Sequence, residues 1–308
     1  MKPKVLLTRS LPSSVLARLE AACDVDLFRG GGPVPRAEFL ARVAGKEALL
    51  SMVTDTVDRA VIDAGTELRV IANVAVGYNN IDVAAARERG ITVTNTPDVL
   101  TDATADFTMA LMLAVTRRLG EGERMVRRGD WKGWAFDQLL GMQLRGKQLG
   151  IVGFGRIGRA VAARAAAFGM TVVHSLRSGE GLALDRLLAT SDVVSLHVPL
   201  SPDTRHLIGQ PELARMKRSA YLINTTRGLV VDEAALAWAL KNRIISGAAL
   251  DVYEREPEIH PDLLPLENVV LAPHLGSATT ETRTAMADLA ARNVVAVLSG
   301  EPPLTPVA

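Results

Sequence analysis

The stretch Gly150-Ile-Val-Gly-Phe-Gly-Arg-Ile-Gly158 decides the fold of this chain, because its glycines are spaced G-x-G-x-x-G between an apolar run and a helical pattern. The apolar run predicts the end of a buried parallel strand over 150–152, and the alanine spacing that follows predicts a helix over 159–168. Gly153 permits a tight turn, Gly155 lets the backbone approach a pyrophosphate, and Gly158 lets helix and strand pack closely. The segment therefore predicts a dinucleotide turn that presents the helix N-terminus to phosphates.

The strand predicted next, which ends at His174, carries a second signal about the nucleotide. An acidic residue that holds the ribose hydroxyls of NAD is expected about 20 positions after the turn. Leu176 stands there instead, followed by Arg177 and flanked by Ser175 and Ser178. Arg177 can pair with a 2′-phosphate, and one or two charge-assisted hydrogen bonds of roughly 1.5–3 kcal/mol each favour NADP by about 10- to 100-fold or more. We expect NADPH as the preferred cofactor, with NADH possible; the alternative is that Arg177 is an ordinary exposed loop residue.

Length, charge and cysteine content restrict the class of protein. The 308 residues suit two domains, and the 35 basic and 34 acidic residues give a formal net charge of +1. This balance predicts no nucleic-acid partner and no membrane surface. The single cysteine, Cys23, fits a reducing cytoplasm, and the longest apolar helix candidate, 107–115, is too short to span a bilayer. The five histidines show no ligand spacing on a common helix, so we expect no metal site.

Apolar runs alternate with helical patterns along the whole chain, which predicts parallel sheets covered on both faces. The first run has predicted strands over 5–8, 48–52, 70–74 and 92–94, with helices over 12–22, 59–64 and 83–89. A helix over 103–118 follows, and then a second run with helices in its gaps up to 231–242. Its predicted strands are 150–152, 171–174, 193–196, 220–224, 247–250 and 268–271.

Six strands match the count of a complete doubly wound dinucleotide-binding domain. A last long helix, over 280–298, is expected to pack back on the first domain. We therefore predict an α/β protein of two doubly wound parallel-sheet domains, in which a Rossmann cofactor domain is inserted into a flavodoxin-like substrate domain. The substrate domain is expected over 1–97 plus 280–308, and the cofactor domain over 98–279, with a dimerisation arm at about 120–147.

Three charged residues follow three successive strands of the second run. Arg227 comes just after one strand, Glu256 lies in the loop after the next, and His274 follows the last. Ligands of open parallel sheets lie outside the carboxyl ends of the strands, so we expect these side chains to converge. Hydride transfer to a ketone creates an alkoxide that needs a proton from a group titrating near neutrality, such as histidine. A carboxylate orients the imidazole, and an arginine presents a fork to a substrate carboxylate.

The segments 150–158, 191–200, 224–228, 251–257 and 272–277 carry a resemblance to a known family. Through them the chain resembles the D-isomer-specific 2-hydroxyacid dehydrogenase family along nearly its whole length. The resemblance implies that Arg227 binds and activates the substrate, that Glu256 partners the histidine, and that His274 donates the proton. It also implies that Asp251 holds the nicotinamide amide.

The same resemblance implies further binding residues. The segment Asn73–Asp82 is similar to the family's carboxylate loop, so backbone N–H groups of Val76 and Gly77 are expected to hold the substrate together with Arg227 and His274. The implied cofactor contacts are Thr104, Gly153, Gly155, Arg156, Ile157, Gly158, Ser175, Arg177, Ser178, His197, Pro199, Thr204, Thr225, Thr226, Asp251 and Gly276.

Within the family, the segment 95–106 and the missing acid near Leu176 resemble the glyoxylate/hydroxypyruvate reductases. This branch implies reduction of small 2-keto acids, glyoxylate to glycolate and hydroxypyruvate to D-glycerate. Relatives often carry a tryptophan where this chain has Gln138, which leaves the choice between the two substrates open. The arm, with Trp131 and Trp134, is similar to the family's dimer contact and predicts a homodimer; the alternative is a self-packed surface loop.

Two other functions remain as alternatives. One is an NAD-dependent D-lactate- or phosphoglycerate-type dehydrogenase, which the absent ribose-binding acid disfavours. The other is a nucleotide-sensing binding protein similar to the family's corepressors. We expect neither a regulatory domain nor a partner-binding tail after Ala308, which weighs against both.

Overall fold

Two sheets of parallel strands organise the chain, which a computed structural model describes over residues 1–307. One unit comprises residues 1–100 and the segment from Thr279 onward, and the other comprises residues 101–278. The strands are β1 (Lys4–Leu7), β2 (Asp24–Leu27), β3 (Ala48–Met52), β4 (Val70–Val74), β5 (Thr92–Thr94), β6 (Gln148–Val152), β7 (Thr171–Ser175), β8 (Val193–Leu196), β9 (Tyr221–Asn224), β10 (Gly247–Leu250) and β11 (Val269–Leu271).

The helices cover the faces of these sheets. They are α1 (Ser13–Ala22), α2 (Arg36–Val43), α3 (Arg59–Ala64), α4 (Val83–Glu88), α5 (Thr101–Thr116), α6 (Leu119–Arg127), α7 (Arg156–Ala167), α8 (Leu184–Thr190), α9 (Gln210–Arg215), α10 (Glu233–Lys241) and α11 (Thr280–Leu298). No helix within residues 1–307 is both long enough and apolar enough to cross a membrane.

The first unit has the strand order β2-β1-β3-β4-β5, with every pairing parallel. Alternate residues of its strands point to opposite faces, so that Leu6 and Leu49 pack in one core and Val5 and Leu50 in the other. α11 buries a small-residue stripe in the second of these cores, formed by Ala287, Ala290, Ala291 and Val294. Both faces are covered, which explains why the central strands are mostly apolar on both sides.

The second unit has the strand order β11-β10-β9-β8-β6-β7, again all parallel. Counted within the unit this order is 2-1-3-4-5-6, because β7 is followed by a single helix and the chain then crosses to the other side of β6. The order reverses between β6 and β8, and the glycine turn follows β6 at this topological switch point. Ligands of doubly wound sheets bind in the crevice at such a point. The predicted α/β class with two parallel-sheet domains is confirmed.

Some local predictions were wrong. The helix after the glycine turn begins at Arg156, three residues earlier than predicted, because Gly155 is already its N-cap. β2 and α2 were not predicted: β2 is a short edge strand that alternates Asp with apolar residues, and α2 is a helix of only 8 residues. α6 was also missed, because none of its residues is buried and its apolar side chains therefore give no core pattern.

Candidate active site

The glycine turn after β6 has the close contacts that its spacing predicts. Gly153 has a φ of +92°, and a Cβ there would lie 2.5 Å from the carbonyl oxygen of His197. A Cβ on Gly158 would lie 2.4 Å from the carbonyl oxygen of Gly153. Real Cβ atoms do not approach this closely, so both positions require glycine.

Gly155, in contrast to Gly153 and Gly158, has open space beside its backbone, and a phosphate-binding turn needs such space. It is the N-cap of α7, no side chain caps this helix end, and no atom lies within 4 Å of its Cβ position. The first N–H groups of α7 lie at the positive end of a 12-residue helix that has no side-chain cap. These residues fit a pyrophosphate group of a dinucleotide.

The end of β7 carries the residues predicted to choose the cofactor. Leu176 donates its N–H to the carbonyl of Glu180, so that residues 176–180 form a tight turn. The side chain of Arg177 is 84% exposed and pairs with Asp203, whose Oδ2 lies 2.5 Å from Nη1. Sequence reasoning missed Asp203, because it lies 26 positions away and only the loop after β8 brings it close.

The loop after β8 contains the predicted adenosine-side residues. His197 accepts or donates a 2.8 Å hydrogen bond with the hydroxyl of Ser195, and burial lowers the pKa of His197 to about 4. Its imidazole is therefore neutral at pH 7. The hydroxyl of Thr204 donates to the carbonyl of Pro199 at 2.7 Å and accepts from the N–H of Ser201 at 2.8 Å, which closes the loop.

His274 and Glu256 form a hydrogen-bonded pair. Nδ1 of His274 lies 2.8 Å from Oε2 of Glu256, and the N–H of Tyr253 donates to Oε1 at 3.1 Å. Burial acts to raise the pKa of Glu256, but the hydrogen bond and charge of His274 outweigh it, so the pKa is lowered. Because Glu256 engages Nδ1, Nε2 is the ring nitrogen that can serve a substrate.

Asp251 holds the turn that carries His274. Its carboxylate accepts from the N–H groups of Leu275 at 2.6 Å and Gly276 at 2.7 Å, and its carbonyl accepts from the N–H of His274 at 2.9 Å. His274 has a φ of +56°, a conformation that this clasp stabilises. Burial raises the pKa of Asp251. Sequence reasoning assigned Asp251 to the nicotinamide amide and missed this backbone role.

Arg227 is positioned by the side chain of Asn224 at the end of β9. Oδ1 of Asn224 accepts from the N–H and hydroxyl of Thr226, and Nδ2 donates to the carbonyl of Arg227 at 3.0 Å. Burial lowers the pKa of Arg227, while the charge of Glu256 acts to raise it. The guanidinium remains charged at neutral pH because its ordinary pKa exceeds 12.

Gly228 brings the Arg227 turn against the loop that carries Glu256. A Cβ on Gly228 would lie 1.8 Å from the carbonyl carbon of Tyr253, so no other residue fits without moving one of these segments. Sequence reasoning missed Gly228 as a functional residue. Its available signal was a glycine directly after a charged residue at a strand end.

The remaining predicted contacts divide between the two units. Thr104 is buried in the first turn of α5, 3.5 Å from the Cβ position of Gly276, and the hydroxyl of Thr225 lies 3.1 Å from that of Thr108. Val76 and Gly77 belong to the loop after β4 in the first unit. Within residues 1–307, no group of three or more His, Cys, Asp or Glu side chains could hold a metal ion.

A doubly wound sheet with an open glycine cradle and an Arg, Glu and His set beyond its strands defines an NAD(P)-dependent dehydrogenase. The family model of the D-isomer specific 2-hydroxyacid dehydrogenase, NAD binding domain, matches residues 109–276. The chain belongs to the D-isomer specific 2-hydroxyacid dehydrogenase family.

Relatives extend the likeness to the whole chain. It is 48% identical to the glyoxylate reductase of Thermococcus litoralis, over 98% of this chain and 96% of that protein. Among solved structures, a Thermus thermophilus protein is 48% identical with a TM-score of 0.93, covering 99% of this chain and 100% of that one. The NADPH-dependent glyoxylate/hydroxypyruvate reductase of Sinorhizobium meliloti, solved with NADP and malonate, is 36% identical with a TM-score of 0.88, covering 100% and 97%.

Proposed function

We propose that this protein reduces small 2-keto acids, glyoxylate to glycolate and hydroxypyruvate to D-glycerate, with NADPH as the preferred cofactor. The observation that carries the proposal is the 2.8 Å pair of His274 and Glu256, in the unit that also holds the open cradle at Gly155. The names of the Thermococcus litoralis and Sinorhizobium meliloti relatives support both substrates.

The roles of the side chains follow from their chemistry. When bound, the reduced nicotinamide supplies a hydride to the substrate carbonyl carbon. Arg227 binds the substrate carboxylate with its planar fork and polarises the adjacent carbonyl. His274 gives the proton on Nε2 to the oxygen as negative charge develops there. Glu256, ionised at neutral pH, holds the imidazolium in orientation through Nδ1.

The cofactor residues fit the same proposal. Asp251, Thr225 and Thr226 would hold the nicotinamide end, and the N–H groups of Arg156 and Ile157 in the first turn of α7 would hold the pyrophosphate. Arg177 would pair with the 2′-phosphate of NADPH in place of Asp203. An exposed ion pair such as Arg177–Asp203 contributes little free energy, roughly 0–1 kcal/mol, so Asp203 does not prevent this exchange.

The segment 119–140 supports a second copy of this chain as partner. Its large apolar side chains are unusually exposed: Leu119 is 64% exposed, Trp134 82%, Phe136 83% and Leu140 65%. Clustered exposed apolar residues mark interaction surfaces. We therefore propose a homodimer in which the segment 119–140 is buried. Sedimentation of the protein as a monomer at micromolar concentration would contradict this proposal.

A substrate panel tests the proposed activity most directly. Glyoxylate, hydroxypyruvate, pyruvate and phosphohydroxypyruvate are each assayed with NADPH and with NADH. We expect the highest kcat/KM with glyoxylate or hydroxypyruvate and NADPH. The highest kcat/KM with pyruvate or phosphohydroxypyruvate and NADH would show a D-lactate- or phosphoglycerate-type dehydrogenase instead.

A further inference from the structure

Three consecutive carbonyl groups in the loop after β4 are hydrogen-bonded by the protein. The carbonyl of Ala75 accepts from the N–H of Thr96 at 2.9 Å, and that of Val76 accepts from Nδ2 of Asn95 at 2.7 Å. The carbonyl of Gly77 accepts from Nδ2 of Asn73 at 3.0 Å. All of these groups belong to the first unit.

The orientation of these carbonyls determines where the N–H groups point. In a trans peptide the C=O and the following N–H are antiparallel. Because the carbonyls of residues 75–77 are held toward β4 and the end of β5, the N–H groups of Val76, Gly77 and Tyr78 point the other way. No acceptor in the described residues 1–307 takes any of these three N–H groups. Successive outward N–H groups form a concavity suited to an anion.

The asparagine side chains are themselves held in place. Asn73 is fully buried, and its Oδ1 accepts from Nδ2 of Asn80 at 3.3 Å. The same Nδ2 of Asn80 donates to the carbonyls of Met52 at 3.1 Å and Asp55 at 3.0 Å. An amide in this network supplies a donor to a backbone carbonyl without adding charge, whereas a carboxylate would offer the carbonyl only acceptors.

We propose that Asn73 and Asn95 are positioning residues, whose side-chain amides hold the carbonyls of Gly77 and Val76 so that the N–H groups of Tyr78 and Gly77, beside that of Val76, face a substrate carboxylate. The inference rests on the proposed function, since the ligand is the carboxylate of a 2-keto acid. It adds to the recognition of that group two side chains that act on it through the backbone of the loop.

Asn95 is the better position to test, because it is only partly buried whereas Asn73 lies in the core. Asn95→Ala removes the donor to Val76, and Asn95→Asp replaces it with an acceptor. Thr305→Val is the matched control: the Thr305 hydroxyl donates to the carbonyl of Asn95 at 2.7 Å, so its loss weakens the same strand end without touching Val76.

The expected result is a change in KM rather than in kcat. Loss of one hydrogen bond that orients the loop should raise KM for glyoxylate about tenfold in both Asn95 variants, with kcat within about twofold of wild type. NADPH affinity should not change, and Thr305→Val should keep the wild-type KM. Asn95→Asp should recover relative to Asn95→Ala as the pH is lowered to about 4, near the ordinary pKa of an aspartate, because the protonated carboxyl becomes a donor again.

Binding of oxamate, an unreactive 2-keto acid analogue, separates this inference from the proposed activity. Calorimetric titration of the NADPH-loaded protein should show about tenfold weaker oxamate binding in Asn95→Ala. Wild type that binds oxamate but reduces no keto acid would defeat the proposed activity and leave the positioning role supported. Equal oxamate affinity in wild type and Asn95→Ala, or an equal KM increase in Thr305→Val, would overturn the positioning role.

Discussion

Nδ1 of His274 lies 2.8 Å from Oε2 of Glu256, a residue 18 positions earlier in the sequence. The carboxylate of Asp251 holds the turn after β11 that carries the histidine. In the histidine, Nδ1 is therefore hydrogen-bonded to a carboxylate, and Nε2 remains as the ring nitrogen that can donate a proton to a substrate. This division of roles is what a proton donor beside a reacting carbonyl requires.

Replacement of His274 by Ala should lower kcat by roughly 10²–10⁴, the usual contribution of a positioned general acid, while NADPH still binds. Steady-state kinetics and a fluorescence titration of NADPH measure the two effects. His260→Ala is a suitable control, because this imidazole accepts from the N–H of Asp262 in its own loop and has no role in the proposed chemistry. Near-normal turnover in His274→Ala would contradict the assignment.

Glu256→Gln should lower kcat by about 10- to 100-fold, because the amide can still accept from Nδ1 but no longer stabilises an imidazolium. Glu258→Gln, an exposed change in the same loop, is the control. Because the pKa of Glu256 is lowered, its carboxylate remains ionised to below its ordinary pKa of about 4.3. A loss of wild-type activity between about pH 5 and 6 would therefore not be caused by protonation of Glu256. If so, Glu256→Gln should lose activity over the same pH range.

Arg227→Lys should raise KM for glyoxylate and lower kcat together, because a point charge cannot reproduce a two-pronged contact with a carboxylate. The exposed residue Arg255 supplies a matched Arg→Lys control in the loop beside it. If the change at Arg227 altered only the affinity for NADPH, the residue would belong to the nucleotide site.

The double change Leu176→Asp with Arg177→Ala should move the cofactor preference toward NADH. It adds a carboxylate for the ribose hydroxyls and removes the cation for a 2′-phosphate, so the NADPH/NADH ratio of kcat/KM should fall by about 10-fold or more. Asp203→Asn removes the ion pair of Arg177 and should leave the NADPH/NADH ratio of kcat/KM unchanged or raise it. An unchanged ratio in the double variant would refute the role of Arg177.

Asp192→Asn should destabilise the second unit by about 1–2 kcal/mol at neutral pH, because the carboxylate accepts from the N–H of Gln148 at 2.8 Å and from Lys217 at 3.0 Å. Burial acts to raise the pKa of Asp192, but these bonds outweigh it and the pKa is lowered. A carboxylate whose pKa is lower in the folded than in the unfolded protein stabilises the fold at pH values above its unfolded pKa of about 3.9. This stabilisation is lost as the pH falls through the folded-state pKa.

The difference in unfolding free energy between wild type and Asp192→Asn should therefore be constant above about pH 5 and shrink below it. Urea unfolding at several pH values measures it. Asp185→Asn, at a 71% exposed side chain 3.5 Å from Arg215, should have little effect at any pH. A difference that grows on acidification would contradict the sign of the Asp192 contribution.

Long apolar runs and glycine spacing were sufficient to predict most central strands. β3, β4 and β8 have the predicted bounds, because both faces of each strand are covered and most of its residues are apolar. β2 and α6 were missed for the opposite reason: an edge strand with one polar face and a helix with no buried residue leave little apolar periodicity.

The predicted family, enzyme class and use of NAD(P) are confirmed by the matched family and relatives.

The sequence by itself determined the class of chemistry, since the glycine turn, Arg227, Glu256 and His274 are local signals at predicted strand ends. Only the tertiary structure decided how these groups are held: Asp251 clasps the His274 turn, Gly228 packs against Tyr253, and Asp203 meets Arg177. The physical reason is that such contacts join loops from different strands. Their partners are set by sheet order and close packing, which no local pattern of residues encodes.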